Sequence, residues 1–367
     1  MAITETYVDP AIAGASGAGT VGDPYGDLQH ALDTMTRDST NGDRINIKAG
    51  TDEILGAAID LSTYGTPAVN VPLVFQGYTT AAGDGGIGGI SGAATYSIMA
   101  GSALFGVGFI DMHLHNTAGT LLLNAGNYWL FDNCEFDNTT TDCLRLTGFI
   151  SYVNNCYFHN IGGFGIHAWN YGVRITNCYF EDGTNKFTAA IGDTNNVNGV
   201  KIESNIIKLT SNGSGISWSS DHAYINNNTI YSSGGTGAGI VLDANVKFGA
   251  TISSNYIEGF SGAGGRGVQT VAGSIIIKMI SNRYYNNTTH ESLSGSHLND
   301  SDNSATAASA LTNPGGGDFS VGTDLKAGAY PTSFKGSSTN QYMDIGAAQR
   351  REQAIVIAGR HNVLLRR

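Results

Sequence analysis

Few residues in this chain are of a type and spacing that could do chemistry. Glu135 follows His113 by one repeat length, at the same repeat position, and so offers a carboxylate beside an imidazole, as a proton transfer requires. Asp193, within Gly192-Asp193-Thr194-Asn195-Asn196, and the pair Asp221-His222 carry groups able to accept a proton or bind calcium. Both also read as ordinary turn chemistry, because Asp and Asn bond their own backbone in turns, and Glu181-Asp182-Gly183 reads the same way. Glu135, Asp193, Asp221 and His222 are therefore weak catalytic candidates only. Tyr157 and Tyr179 hold one position in adjacent repeats, with Trp218 elsewhere, and their faces suit sugar rings or a subunit interface. No Walker loop, Rossmann fingerprint, zinc spacing or nucleophile elbow accompanies them.

These residues are positioned by a repeat. Eight six-residue phrases recur: Phe109 to Leu114, Phe131 to Phe136, Val153 to Phe158, Ile175 to Phe180, Ile202 to Ile207, Ile225 to Ile230, Ile252 to Ile257 and Met279 to Tyr284. Each reads apolar, two polar, Met/Cys/Asn, an outward residue, then an apolar or aromatic closer. The fourth residues are Met112, Cys134, Cys156, Cys178, Asn205, Asn228, Asn255 and Asn282, at intervals of 22, 22, 22, 27, 23, 27 and 27. A period of this size marks a solenoid. A second apolar strand precedes most phrases, as at Leu121 to Leu123, Cys143 to Leu146 and Gly165-Ile166, so two short strands per coil are expected. Gly, Ser, Thr and Asn fill the extra residues at Asn185 to Val197, Ser233 to Gly237 and Phe260 to Arg266, which places these insertions in turns.

The column of fourth positions has a physical reading. Strands of successive coils lie about 4.8 Å apart, so Cys134, Cys156 and Cys178 form a stack of buried thiols rather than disulfides or a tetrahedral metal site. A stacked Asn can bond turn backbone and the next amide, satisfying polar groups that would otherwise be buried unpaired. Ahead of the coils, Asp27 can cap a short helix with Leu28, Ala31, Leu32 and Met35 at helical spacing, covering the open end.

These phrases and columns resemble the right-handed parallel β-helix of the pectate-lyase-like superfamily, with its aliphatic, aromatic and asparagine ladders. The Asp-Leu-Gln-x-Ala-Leu helix, followed by the strand Asp43 to Lys48 and an Ala-Gly turn, is similar to that superfamily's N-terminal cap. The phrase MDIGAAQRRE resembles a closing strand in β-helix proteins of phage and environmental bacteria. The expected fold is all-β: a right-handed parallel β-helix solenoid with a short N-terminal capping helix and a C-terminal tail. Its expected parts are 1–42 (strand, Gly-rich loop and capping helix), 43–286 (β-helix), 287–352 (loop-rich cap, with a short helix over Thr306 to Leu311) and 353–367 (basic apolar tail).

Composition narrows the function. Glycine, at 51 residues, is about twice its usual share and charged residues, at 13%, about half theirs, which gives many tight turns and a sparingly charged surface. A net charge of −11 argues against a general nucleic-acid or anionic-membrane surface, and no apolar run reaches membrane-span length. The start, MAITETYVDP, lacks the basic and apolar regions of a signal peptide. Arg350, Arg351, Arg360, Arg366 and Arg367 make the end basic and mark it as an assembly element.

Enzymes of the resembled superfamily cleave acidic polysaccharides, by calcium-assisted β-elimination with an Arg or Lys base, or by hydrolysis with clustered carboxylates and a His. The outward fifth positions read His113, Glu135, Tyr157, Tyr179, Ile206, Thr229, Tyr256 and Arg283, with one ionisable neighbouring pair. The Gly-His-Gly and Arg-Ile-Lys phrases of the hydrolases are absent. The sequence reading is therefore a structural virion-surface protein of a tailed bacteriophage, as head decoration, fibre or spike, made in the bacterial cytoplasm and acting without catalysis. Expected partners are other virion proteins, copies of itself in a homo-oligomer (a trimer by resemblance), and a host surface glycan. The alternative is a polysaccharide lyase or glycoside hydrolase. No cofactor is expected, and calcium enters only with the lyase.

Overall fold

The computed structural model describes residues 3–321, apart from 62, 66, 69, 93–97, 100–104, 117–122, 194–198, 247–248, 295, 298–299 and 302. Among the described residues, three parallel sheets, here I, II and III, hold 13, 11 and 8 strands; sheets I and II start near the N-terminus, sheet III runs from Leu123–Ala125 to Thr289–Ser292, and within that span consecutive coils add one strand to each. One coil passes through Leu130–Asp132 in sheet I, Glu135–Thr139 in sheet II and Leu144–Leu146 in sheet III. The next begins at Tyr152–Asn154, paired with the first in register.

There are thus three strands per coil where the sequence pointed to two. The six-residue phrase is not one strand. Its third residue bends the chain from sheet I to sheet II with positive φ, as at Asp111, Asn133, Asn155, Asn177, Ser204, Asn227, Ser254 and Ser281. Asn, Asp and Ser tolerate the left-handed region better than bulkier residues, which explains the polar residues inside an apolar phrase.

Each phrase drives its first and sixth residues inward, and the coils stack like on like. Phe75, Phe109 and Phe131 stack in sheet I, with centroids 4.9 and 5.6 Å apart. In sheet II, Phe136, Phe158 and Phe180 stack at 4.6 and 4.8 Å. The fourth residues fill the corner between, as the sequence implied. Cys134, Cys156 and Cys178 are buried free thiols. Further along, Asn205 Nδ2 donates to Asn228 Oδ1, Asn228 to Asn255, and Asn255 to Asn282, each at 3.0 Å. Asn282 passes the ladder to Asn303 at 2.9 Å.

The helix Leu28–Thr34 starts at Asp27, whose side chain accepts from the His30 N–H at 2.6 Å, and it buries Leu28, Ala31 and Leu32 over the open end. Parallel pairing extends beyond 43–286 at both ends. Thr4–Val8 already pairs with Asp43–Lys48, and Ser304–Ala305 still pairs with the strand Arg283–Tyr285. The final strands are too short to show as a pattern. Ser233 to Gly237 lies in a turn, but Asn185 to Val197 contains the sheet III strand Ala189–Asp193.

The expected helix over Thr306 to Leu311 does not form. Six residues are too few to nucleate one alone, and the Thr306 hydroxyl donates to Ala308 O at 2.8 Å, so a local turn wins. Leu311–Asn313 and Asp318–Val321 instead make an antiparallel hairpin. The hairpin lies back on sheet II, where Ala310, Leu311 and Phe319 pack with Ile206 and Tyr256. The arginines at 350, 351, 360, 366 and 367 lie outside the described residues.

Candidate functional site

On a strand, side chains alternate between faces, so the residue after each phrase's apolar closer faces out again, beside the fifth-position residue. Sheet II therefore carries two outward columns, and the second reads His115, Asp137, His159, Glu181, Lys208, Tyr231, Glu258 and Tyr285. Together with the first it assembles one dense polar group. Inside the six-residue phrases, only His113 and Glu135 are ionisable neighbours at the outward position.

The geometry links these residues coil to coil. His159 Nε2 lies 2.9 Å from Glu135 Oε1 and 3.9 Å from Asp137 Oδ2, so one imidazole stands between two carboxylates. Asp137 Oδ1 also bonds His113 Nε2 at 3.2 Å. Burial opposes the charged form of His113, yet its bond to Asp137 and the fields of Asp137, Glu135 and Asp52 outweigh it and raise its pKa above the ordinary histidine value. Glu181 accepts from Lys208 Nζ at 2.7 Å and from the Tyr157 hydroxyl at 3.0 Å. Burial first, then the Glu181 charge, pushes the Tyr157 phenol far up, so it is a donor at any physiological pH.

An aromatic floor adjoins these groups. Tyr157 stacks on His159 at 4.4 Å and on Tyr179 at 5.4 Å. Phe319 of the hairpin meets Tyr179 edge-on at 6.1 Å and Tyr231 at 6.3 Å. The hairpin covers the C-terminal half of the outward face, where Glu258 accepts from Tyr256 at 2.6 Å and Ser309 at 2.8 Å. The face from His113 to His159 lies N-terminal to the hairpin's contacts, which begin at Tyr179 and Ile206, with Phe319 as its wall.

The other candidates fall elsewhere. Asp193 ends a sheet III strand, is 4% exposed, and accepts from Ser219 and Ser220. Its carboxyl is locked to a turn, away from Glu135. Asp221-His222 forms a turn leading into the sheet I strand Ala223–Asn226, with the His222 N–H donating to Gly249 O at 2.9 Å. Trp218 is wholly buried and cannot be a glycan platform, because its strand Ser214–Trp218 turns it into the core. Of the predicted residues, the structure brings together Glu135, Tyr157 and Tyr179.

A family model described as the right handed beta helix region matches residues 119–288. The chain is a right-handed parallel β-helix. Among solved structures, this β-helix is similar to one titled glycoside hydrolase, at 10% identity and TM-score 0.57, covering 82% of this chain and 96% of the other. It is also similar to the pectate lyase Pel9A, at 12% identity and TM-score 0.56, covering 96% and 98%. At such identities the likeness is one of fold. No curated protein matches the chain in sequence.

Proposed function

We propose that this β-helix binds an extended glycan along the outward face of sheet II and hydrolyses it by general acid–base chemistry. The observation that carries the reading is His159 between Glu135 and Asp137, next to the Tyr157/Tyr179 floor. Glycoside hydrolysis needs two carboxyl groups flanking the scissile bond, one to protonate the leaving oxygen and one to attack or to activate water. Glu135 and Asp137 supply them, His159 moves the proton, and the tyrosines stack against the sugar.

Electrostatics favours hydrolysis over elimination. Elimination at a uronate needs cations to neutralise the substrate carboxylate, but Glu135, Asp137 and Glu181 face a single lysine, Lys208, whose ammonium is bound to Glu181. A neutral or weakly charged glycan suits this face better than a polyuronate. The similar glycoside hydrolase and pectate lyase support a glycan-active β-helix without choosing its chemistry.

The surface of a tailed-phage particle is the setting we propose, carried by the rigid repeat and the arginine-rich end of the sequence. In it the chain serves both as scaffold and as the surface that meets a host glycan. The test is incubation of purified protein with a panel of host surface polysaccharides, assaying reducing ends against unsaturated ends. New reducing ends, reduced by at least about 10²-fold in Glu135→Gln and Asp137→Asn, are expected. Unsaturated ends would replace hydrolysis by elimination, and no cleavage of any glycan would leave the scaffold role alone.

A further inference from the structure

At the N-terminal end of this face three groups converge that the proposed hydrolysis does not use: Asp52, His113 and His115. One ligating atom from each lies within 4.8 Å of the others. We propose that these residues bind one divalent transition-metal ion of the zinc class. The inference does not depend on the glycan reading.

Four observations carry it. First, the two imidazoles come from alternate residues of one strand, Met112–Asn116, so both project from the same face, with rings 4.6 Å apart. Second, the third group reaches them across a coil. Asp52 pairs with Gly89, and Gly89 with His113; a Cβ on Gly89 would sit 1.7 Å from Asp52 Oδ1. The missing side chain lets the carboxylate lie over that coil.

Third, His115 Nε2 is shut off from solvent and makes no hydrogen bond of acceptable geometry, although Asp52 Oδ2 is 3.0 Å away. Two polar atoms that face each other off axis are placed as two ligands of a third atom are. In a tetrahedral zinc site with bonds of about 2.0–2.1 Å, ligand atoms lie about 3.4 Å apart. Fourth, Asp137 Oδ1 contacts His113 Nε2 at 3.2 Å and lies 3.7 Å from His115 Nδ1. A carboxylate behind metal-binding imidazoles fixes their rings and raises their basicity.

The donor set selects the ion. Two imidazoles and one carboxylate suit zinc, cobalt or nickel, whereas calcium takes six to eight oxygens. Three protein ligands leave at least one position of a tetrahedral ion to water or another ligand.

The experiment uses the full chain, stripped with a chelator, and measures cobalt(II) binding by visible absorption and zinc(II) binding by calorimetry. One ion per chain, with micromolar or tighter affinity, is expected. His115→Ala and Asp52→Asn should each weaken binding at least tenfold with unchanged circular dichroism. Gly89→Ala, which keeps all three ligands but displaces Asp52, should weaken it too. His222→Ala, which alters an exposed turn histidine, should bind as the parent does. Parent affinity no better than that of a His113→Ala/His115→Ala double variant would overturn the proposal, as would calcium binding without zinc binding.

Discussion

Burial and hydrogen bonding oppose one another at Asp193. Burial raises its pKa most, bonds from Ser220 and Ser219 lower it, and the Asp243 charge raises it, leaving it near 7 against 3.8 for a free Asp. The sign of the linkage follows. Below about pH 4 both folded and unfolded chains hold the proton, so the carboxyl costs nothing. Between about pH 4 and 7 only the unfolded chain releases it, and stability falls as pH rises, then levels off above. With one pKa unit corresponding to about 1.4 kcal/mol, the fall is on the order of 4 kcal/mol. Asp193→Asn should therefore match the parent in urea midpoint at pH 4 and exceed it at pH 8. A variant offset that is the same at both pH values would show that Asp193 is not the titrating group. The sequence displays this residue as local turn chemistry, whereas the structure ends a strand with it and bonds it to Ser219 and Ser220 of the next coil. Its burial was not legible, because that depends on the neighbouring coil.

The asparagine ladder differs from the thiol stack in what it satisfies. Asn255 Oδ1 accepts from the Asn228 N–H at 2.9 Å and from Asn228 Nδ2 at 3.0 Å, while its own Nδ2 reaches Ile225 O and Asn282 Oδ1, each at 3.0 Å. Cys156 donates its thiol to Asn154 O at 3.1 Å and stacks between the thiols of Cys134 and Cys178, with no amide to satisfy. Asn255→Leu would strand buried backbone and amide groups, each costing about 1–3 kcal/mol, so a loss of about 3–5 kcal/mol is expected. Cys156→Ala leaves only a small cavity, for a loss of about 1 kcal/mol. Chemical denaturation of the two variants measures the contrast, and equal losses would mean that the amides act as packing alone. The ladder was legible because both columns recur at intervals of 22 to 27 residues. The third sheet was hidden because a bend residue with positive φ, such as Asn133, reads in sequence as an ordinary polar position. The second outward column was hidden by one residue. Asp137, His159, Glu181 and Lys208 each follow an apolar closer, and two-residue alternation carried one step further finds them.

Over the whole molecule, a solenoid's stability is close to a sum of coil energies and nearest-neighbour interfaces. The interfaces here are those of stacked Phe, Ile, Cys and Asn, running from Thr4 to Ala305, and the hairpin then folds back on sheet II. A segment that did not pack on the stack would add no term to that sum. The sequence from Arg350 onward is different in kind, with five arginines after a body whose total charge is negative. Its arginines would complement an acidic neighbour, the attachment role proposed above. Deleting Gln353 to Arg367 should therefore leave the thermal midpoint and the circular dichroism of the β-helix unchanged while, in the phage setting proposed above, the chain disappears from purified particles. The measurement is the copy number of full-length and truncated chains on gradient-purified particles. A truncated chain present at normal copy number would remove attachment from these residues and assign it to the coil surface. A truncated chain that also melts earlier would show instead that the segment packs on the stack as a further coil.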